Sequence, residues 1–257
     1  MSAFTFLPVT WYDSLPSTNS HLIADVKSNP DLPSGTVIAA RTQTAGRGRQ
    51  QRQWLTTPNE NLTFSFLWNA PLEQTYLPAM AQAISVGIAH FLQKTALSPT
   101  IKWPNDILVQ DKKIGGILCE SVNTGHPDRI TVVAGAGLNI NMDAAAAARI
   151  DQPVTSLFLE TDTKHELDET LTQLLASMSI PLQQWANSGF AGIRHDYSNL
   201  GWTPGTTVRV RDGEKHVTGT FLEYNHDGGL VLQGEDGTRR LFYSGDAAPA
   251  TAQHTTP

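Results

Sequence analysis

Between residues 99 and 141 the chain leaves no room for a helix. The strand-like runs TIKW, DILVQ, KIGGILCESV and RITVVAGAGLNIN follow one another, with turn signals such as Pro104-Asn105 and Asp111-Lys112 between them. Strands joined this closely pair as a meander, because a parallel return needs a long crossover.

The flanking segments extend that meander into a mixed sheet flanked by helices, an α+β arrangement. TVIAA (36–40) reads as a short buried strand, and NLTFSFLW (61–68) alternates Leu62, Phe64, Phe66 and Trp68 against Asn61, Thr63, Ser65 and Leu67. PSTNSHLIADVK predicts a helix capped by Ser17, with Leu22, Ile23 and Val26 on its apolar face. Residues 77–92 place Leu77, Met80, Ala81, Ile84, Ile88 and Phe91 at helical spacing. A further helix is expected near 165–187, with Pro181 breaking or kinking it.

After GWTPG (201–205) the texture changes. TTVRVR, KHVTGTFLEY, GLVLQ and TRRLFY are separated by Asp212-Gly213, NHDGG and Glu235-Asp236-Gly237, a pattern that predicts a small barrel with its own core. The expected units are 1–203, 204–247 and a disordered tail, 248–257.

With 257 residues, 40% hydrophobic and 16% charged, the chain should be globular and soluble. A net charge of −6 argues against general nucleic-acid binding. One cysteine, Cys119, excludes an internal disulfide and fits a reducing compartment. The N-terminus shows no signal-peptide pattern, and no run approaches a membrane span, so a cytoplasmic setting is expected.

Against this acidic background, GRGRQQRQW (46–54) gathers Arg47, Arg49 and Arg52. Forked donors and bare glycine amides suit phosphate and carboxylate. The loop is neither a Walker A nor a dinucleotide fingerprint, and it would equally serve as a solvated basic loop or a local RNA contact. Lys102, set among Ile101, Trp103 and Pro104, needs an anion if buried; the alternative is an edge-strand lysine pointing outward. Asn105 and Asp106 follow at a turn, where they could reach a metal or ribose hydroxyls. Gly115, Gly116, Gly135 and Gly137 interrupt two strands, which suits a ligand lying on the sheet or a close-packed helix. Cys119 in GGILCE reads as core rather than nucleophile. The set as a whole suits a small molecule bearing phosphate and carboxylate.

Five motifs stand in the order seen in biotin–protein ligases: STN (17–19), TQTAGRGRQQRQW (42–54), KWPND (102–106), KIGGILCE (113–120) and GAGLNIN (135–141). The chain resembles that family over most of its length. The resemblance implies a catalytic domain related to class II aminoacyl-tRNA synthetases, followed by an SH3-like barrel. It implies a two-step reaction: biotin and ATP, with Mg²⁺, give biotinyl-5′-AMP, and a lysine of a biotin carboxyl carrier protein then takes the biotinyl group.

The resemblance also assigns residues. Ser17, Thr18, Asn19, Gln43, Gly46, Arg47, Gly48, Arg49 and Lys102 fall to biotin, with Gly115, Gly116, Gly135 and Gly137 lining the pocket. Arg47, Arg49, Arg52, Trp54, Lys102, Asn105, Asp106 and Asn139 fall to ATP. Lys102 and Arg49 are the catalytic pair. No fixed metal site is implied; Mg²⁺ accompanies ATP, near Asp106. Gln51 departs from the family by standing where a third loop glycine is usual. Ser17 comes too early for the winged helix of repressor-type members, so no DNA binding is expected, and the protein is expected to be a monomer or homodimer. The nearest alternative is a lipoate ligase or an octanoyltransferase, the latter needing a reactive cysteine. A non-catalytic biotin or nucleotide sensor is the alternative from another class.

Overall fold

A computed structural model describes residues 4–71, 79–213 and 215–250. Two sheets form its frame. The first is seven-stranded and mixed, in the order β1-β2-β3-β7-β6-β5-β4. Its strands are β1 (Val9–Tyr12), β2 (Val37–Ala40), β3 (Asn61–Pro71), β4 (Pro99–Lys102), β5 (Asp106–Val109), β6 (Lys112–Val122) and β7 (Arg129–Asn139). The β4–β7 segment is the expected meander, with every neighbouring pair antiparallel. Among the described strands only β1 and β2 pair in parallel, and helix α1 (Thr18–Ser28) supplies their crossover. β1 was not foreseen, since VTWY is too short to show a period.

Both faces of this sheet are covered, and the β3 sequence shows why. Leu62, Phe64, Phe66 and Trp68 join the larger core with α2 (Met80–Gln93) and α5 (Leu167–Ser188). Leu67, on the opposite face, joins Leu22 and Val26 of α1 with Ile38 and Val133. The alternation in β3 therefore separates two cores rather than a core from solvent. Leu77, expected at the start of α2, lies outside the described residues.

α5 continues past Pro181, so the proline does not break the helix as one of the two sequence expectations had it. A proline inside a helix costs about 3 kcal/mol. Leu182, the next residue, and Trp185, one turn on, are fully buried and each contributes about 2–3 kcal/mol. Tertiary packing therefore outweighs the break. The α2–α5 approach is close enough that a Cβ on Gly87 would come within 2.6 Å of the Met178 backbone.

The second sheet is antiparallel and five-stranded, in the order β11-β10-β9-β8-β12. It comprises β8 (Thr207–Asp212), β9 (Lys215–Tyr224), β10 (Leu230–Gln233), β11 (Arg239–Phe242) and β12 (Asp246–Pro249). No ladder joins β11 to β12 among the described residues, so the sheet is open. β12 runs past residue 247; the tail from 251 lies outside the described residues.

The second sheet was expected to have a core of its own. Instead, its Val208, Val210, Phe221, Tyr224, Leu230, Leu232 and Phe242 belong to the same buried cluster as α2 and α5. Gly228, in the β9–β10 turn, seals the junction. Its carbonyl accepts from Gln82 Nε2 at 2.8 Å and from Trp103 Nε1 at 3.1 Å. The second sheet is thereby fixed directly behind Lys102.

Candidate active site

A partly open cleft lies between the first sheet, the arginine loop and β12. The N-terminal turn of α1 forms one end. Ser17 Oγ caps the helix, and Gln43 Oε1 accepts from the Thr18 amide at 2.7 Å. Asn19 donates to Leu118 O at 3.1 Å and to Glu120 Oε2 at 2.8 Å, while Ser65 Oγ lies 2.6 Å from Asn19 Oδ1. These short side chains are buried and mutually fixed, and the partial positive charge of the helix start faces the cleft.

The glycines of β7 are explained by close approach. A Cβ on Gly135 would strike Asn19 Oδ1, and one on Gly137 would strike the Trp54 indole. Each admits a side chain of this protein over the strand. Trp54 Nε1–H is buried with no hydrogen-bond partner among the described residues, and the ring lines the cleft.

The arginine loop is held by its own backbone. Gly48 N donates to Arg52 O, and Arg47 bridges to Gln53, around a 3₁₀ turn at Arg49–Gln51. That turn places Gln50 at φ 53° and Gln51 at φ 61°, the left-handed region. A side chain there costs about 1–2 kcal/mol, whereas glycine sits freely, at an entropy cost of up to about 1 kcal/mol when unfolded. Gln51→Gly should therefore raise stability by about 0.5–1 kcal/mol, measured as a higher urea midpoint. No gain would mean that the turn is unstrained.

Lys102 ends the edge strand β4 and points into the cleft. Its Nζ lies 3.2 Å from Asp246 Oδ1, and Arg52 reaches Asp246 Oδ2 at 2.5 Å. Burial pushes the Asp246 carboxyl up, but Lys102 and Arg52 outweigh it and hold it at about 2. Because the folded value lies below the unfolded one, this clamp stabilises fully above about pH 4 and is lost as pH falls to about 2. After allowance for partial exposure, about 1–2 kcal/mol should disappear across that window. Comparing urea midpoints of the parent and Asp246→Asn from pH 5 to about pH 2 checks this; a constant difference would refute it.

Arg49 is the least exposed of the three loop arginines. It donates to Asn105 Oδ1 at 2.9 Å, and Asn105 in turn donates to Ile117 O at 2.6 Å. Burial lowers its pKa, with Asp106 and Asp246 opposing, and a guanidinium remains charged. Asp106 is itself paired with Lys113 Nζ at 2.7 Å.

Most of the sequence-predicted residues meet here: Ser17, Thr18, Asn19, Gln43, Arg47, Gly48, Arg49, Arg52, Trp54, Lys102, Asn105, Asp106, Gly116, Gly135 and Gly137 line the cleft. Gly46, Gly115 and Asn139 do not. Gly46 packs on the Trp54 carbonyl, and Gly115 faces Leu138. Asn139 is committed to structure, accepting from Asn61 Nδ2 and donating to Thr155 O, each at 2.9 Å. Lys113, Gln152, Gly245 and Asp246 line the cleft unforeseen. The paired lysines of DKKIGG gave a weak hint of Lys113; nothing local signals Asp246. Burial, reinforced by Glu120, pushes the Cys119 thiol up to about 12, so no thiolate is available at neutral pH.

Residues 11–137 match the model of the biotin/lipoate A/B protein ligase family. A biotin–[acetyl-CoA-carboxylase] ligase of Paracoccus denitrificans is 30% identical over 89% of this chain and 98% of that protein. The chain belongs to the biotin–protein ligase family. The bifunctional ligase/repressor BirA of Escherichia coli is 29% identical over 92% of this chain and 72% of its own length. Among solved structures, the biotin protein ligase from Aquifex aeolicus in complex with biotin and ATP superposes with a TM-score of 0.79. It is 26% identical, covering 95% of this chain and 98% of that one. Among the described residues no helix is long and apolar enough to cross a membrane, and no group of acidic, histidine or cysteine side chains is arranged to hold a metal ion.

Proposed function

We propose that this protein is an ATP-dependent biotin ligase acting on a biotin carboxyl carrier protein. In the first step a biotin carboxylate oxygen attacks the α-phosphorus of ATP; the P–O bond to pyrophosphate breaks, leaving biotinyl-5′-AMP. In the second, an acceptor lysine amine attacks the acyl carbon, the bond to AMP breaks, and an amide forms. The observation that carries this reading is the cleft itself. Short polar groups around Asn19 and Gln43 occupy one end, and the cations Lys102 and Arg49 converge at the other. Biotin's ureido ring suits the first end, and a carboxylate joined to phosphate suits the second.

Lys102 is placed to stabilise charge that builds on the α-phosphate. Arg49 holds that phosphate once the mixed anhydride exists. Trp54, whose ring lines the cleft, offers an apolar face to the ligand. Mg²⁺ bound to the triphosphate would screen its charge; Asp106, the nearest carboxylate proposed for it, is paired with Lys113. We read residues 1–203 as the catalytic unit and the segment from 204 through the end of β12 as a partly open SH3-like barrel, a reading supported by its five strands and the bulge between Val231 and Leu232.

Biotin-dependent exchange between pyrophosphate and ATP, followed by labelling of a carboxyl-carrier domain, tests the proposal. Exchange that depends on lipoate instead would favour the lipoate ligases. Biotin binding without exchange would favour a sensor.

A further inference from the structure

Arg47, Arg49 and Arg52 differ in what holds them. Arg47 Nη2 lies 2.6 Å from Glu120 Oε2 on β6, and that same oxygen accepts from Asn19 Nδ2 at 2.8 Å. Arg52 lies 2.5 Å from one oxygen of Asp246 on β12, whose other oxygen lies 3.2 Å from Lys102 Nζ. Each end of the loop is thus tied through one carboxylate to a residue of the cleft floor, Asn19 at one end and Lys102 at the other. Arg49 has only neutral hydrogen-bond acceptors among the described residues, Asn105 Oδ1 at 2.9 Å and Gly245 O at 3.4 Å.

Three guanidinium groups so close repel one another, and glycines give the loop little stiffness of its own. An exposed ion pair alone does little to oppose this. Here the carboxylate side chains are only 25% and 28% exposed, and each engages two donors. The two pairings also act in parallel, so neither end can lift without breaking a shared carboxylate.

We propose that Glu120 and Asp246 are positioning residues that fasten the two ends of the arginine loop across the cleft. Arg47 and Arg52 spend their charge on this fastening, and Arg49 alone keeps its charge for the ligand's phosphate. The closed loop then retains the acyl-adenylate. Only this last clause rests on the ligase reading. Because Asp246 belongs to β12, the second sheet takes part in closing the site.

The test compares the full-length parent with Glu120→Gln, Asp246→Asn and the double variant. Ligand-free protein is treated with trypsin, and first cuts after Arg47, Arg49 or Arg52 are mapped by mass. The single variants should be cut several-fold faster and the double variant about tenfold faster, whereas Asp246→Glu should stay near the parent. Raising salt should speed cutting of the parent, since screening weakens the pairs without altering the chain. With biotin and ATP, release of biotinyl-AMP should rise more than the rate of its formation falls. Equal cutting of parent and double variant, with no salt effect, would overturn the fastening. Faster cutting with unchanged release would overturn its role in retention. A parent that makes no adenylate would refute the ligase reading, and cutting of the ligand-free loop would still judge the fastening. Thermal melts identify any variant that fails to fold, in which case the salt series on the parent decides.

Discussion

Lys102→Met should lower biotin-dependent exchange between pyrophosphate and ATP by at least about 10²- to 10³-fold, with the fold intact. As the carboxylate attacks, negative charge accumulates on the α-phosphate oxygens. A fixed cation aimed at that charge is worth several kcal/mol in the transition state and far less in the ground state. Methionine keeps the apolar stem of the lysine and removes only the ammonium. It does not strand Asp246, which keeps Arg52 at 2.5 Å. The melting transition should therefore shift by no more than the loss of one partly exposed ion pair, about 1 kcal/mol or less. Exchange kinetics and a thermal melt on the same preparation check both parts. Near-normal exchange would remove Lys102 from the chemistry, and a large loss of stability would make it a structural lysine.

The placement of Lys102 shows what a local pattern can reveal. A lysine in an apolar strand raises a problem of charge, and the solution has to be an anion. The sequence posed that problem but could not say who supplies the anion. Asp246 is 144 residues away in the chain, in a segment whose strand pattern says nothing of the cleft. Glu120 is hidden in the same way, inside a motif read for its glycines and its cysteine. Gly135 and Gly137 also posed their question locally, as glycines where strands avoid them. Their answer is the Asn19 amide and the Trp54 ring, which come from other elements. Asn139 was assigned by motif alone, and its amide turns out to be fully used in fixing Asn61 and Thr155 O to the end of β7. The β4–β7 meander was legible because tight turns allow one pairing. The continuation of α5 past Pro181 was not, because Trp185 packs on Trp68 of β3, and Leu182 joins the same core, which no local window contains.

Arg49→Gly should turn the protein into an indiscriminate labelling enzyme. Biotinyl-AMP is a mixed anhydride that reacts with water and with any unprotonated amine, so specificity depends on holding it until the acceptor lysine arrives. Of the three loop arginines, Arg49 alone has no carboxylate in ion-pair contact among the described residues, and it faces the cleft from above Asn105. A guanidinium gripping phosphate with two parallel bonds contributes about 1.5–3 kcal/mol beyond what a neutral contact gives. Its removal should raise the rate of adenylate release by about 10- to 100-fold. Adenylate formation should fall less, because Lys102 remains, and glycine fits the loop without strain. Arg47–Glu120 and Arg52–Asp246 are untouched, so the loop should still close over the cleft. The measurement is to incubate parent and variant with ATP, biotin and an unrelated protein that carries no acceptor domain, and to probe that protein for attached biotin. Strong bystander labelling by the variant and little by the parent is the expected result. If adenylate forms and bystander labelling does not rise, the phosphate is held by some other group, and the charge left free on Arg49 serves binding of the triphosphate rather than retention of the product.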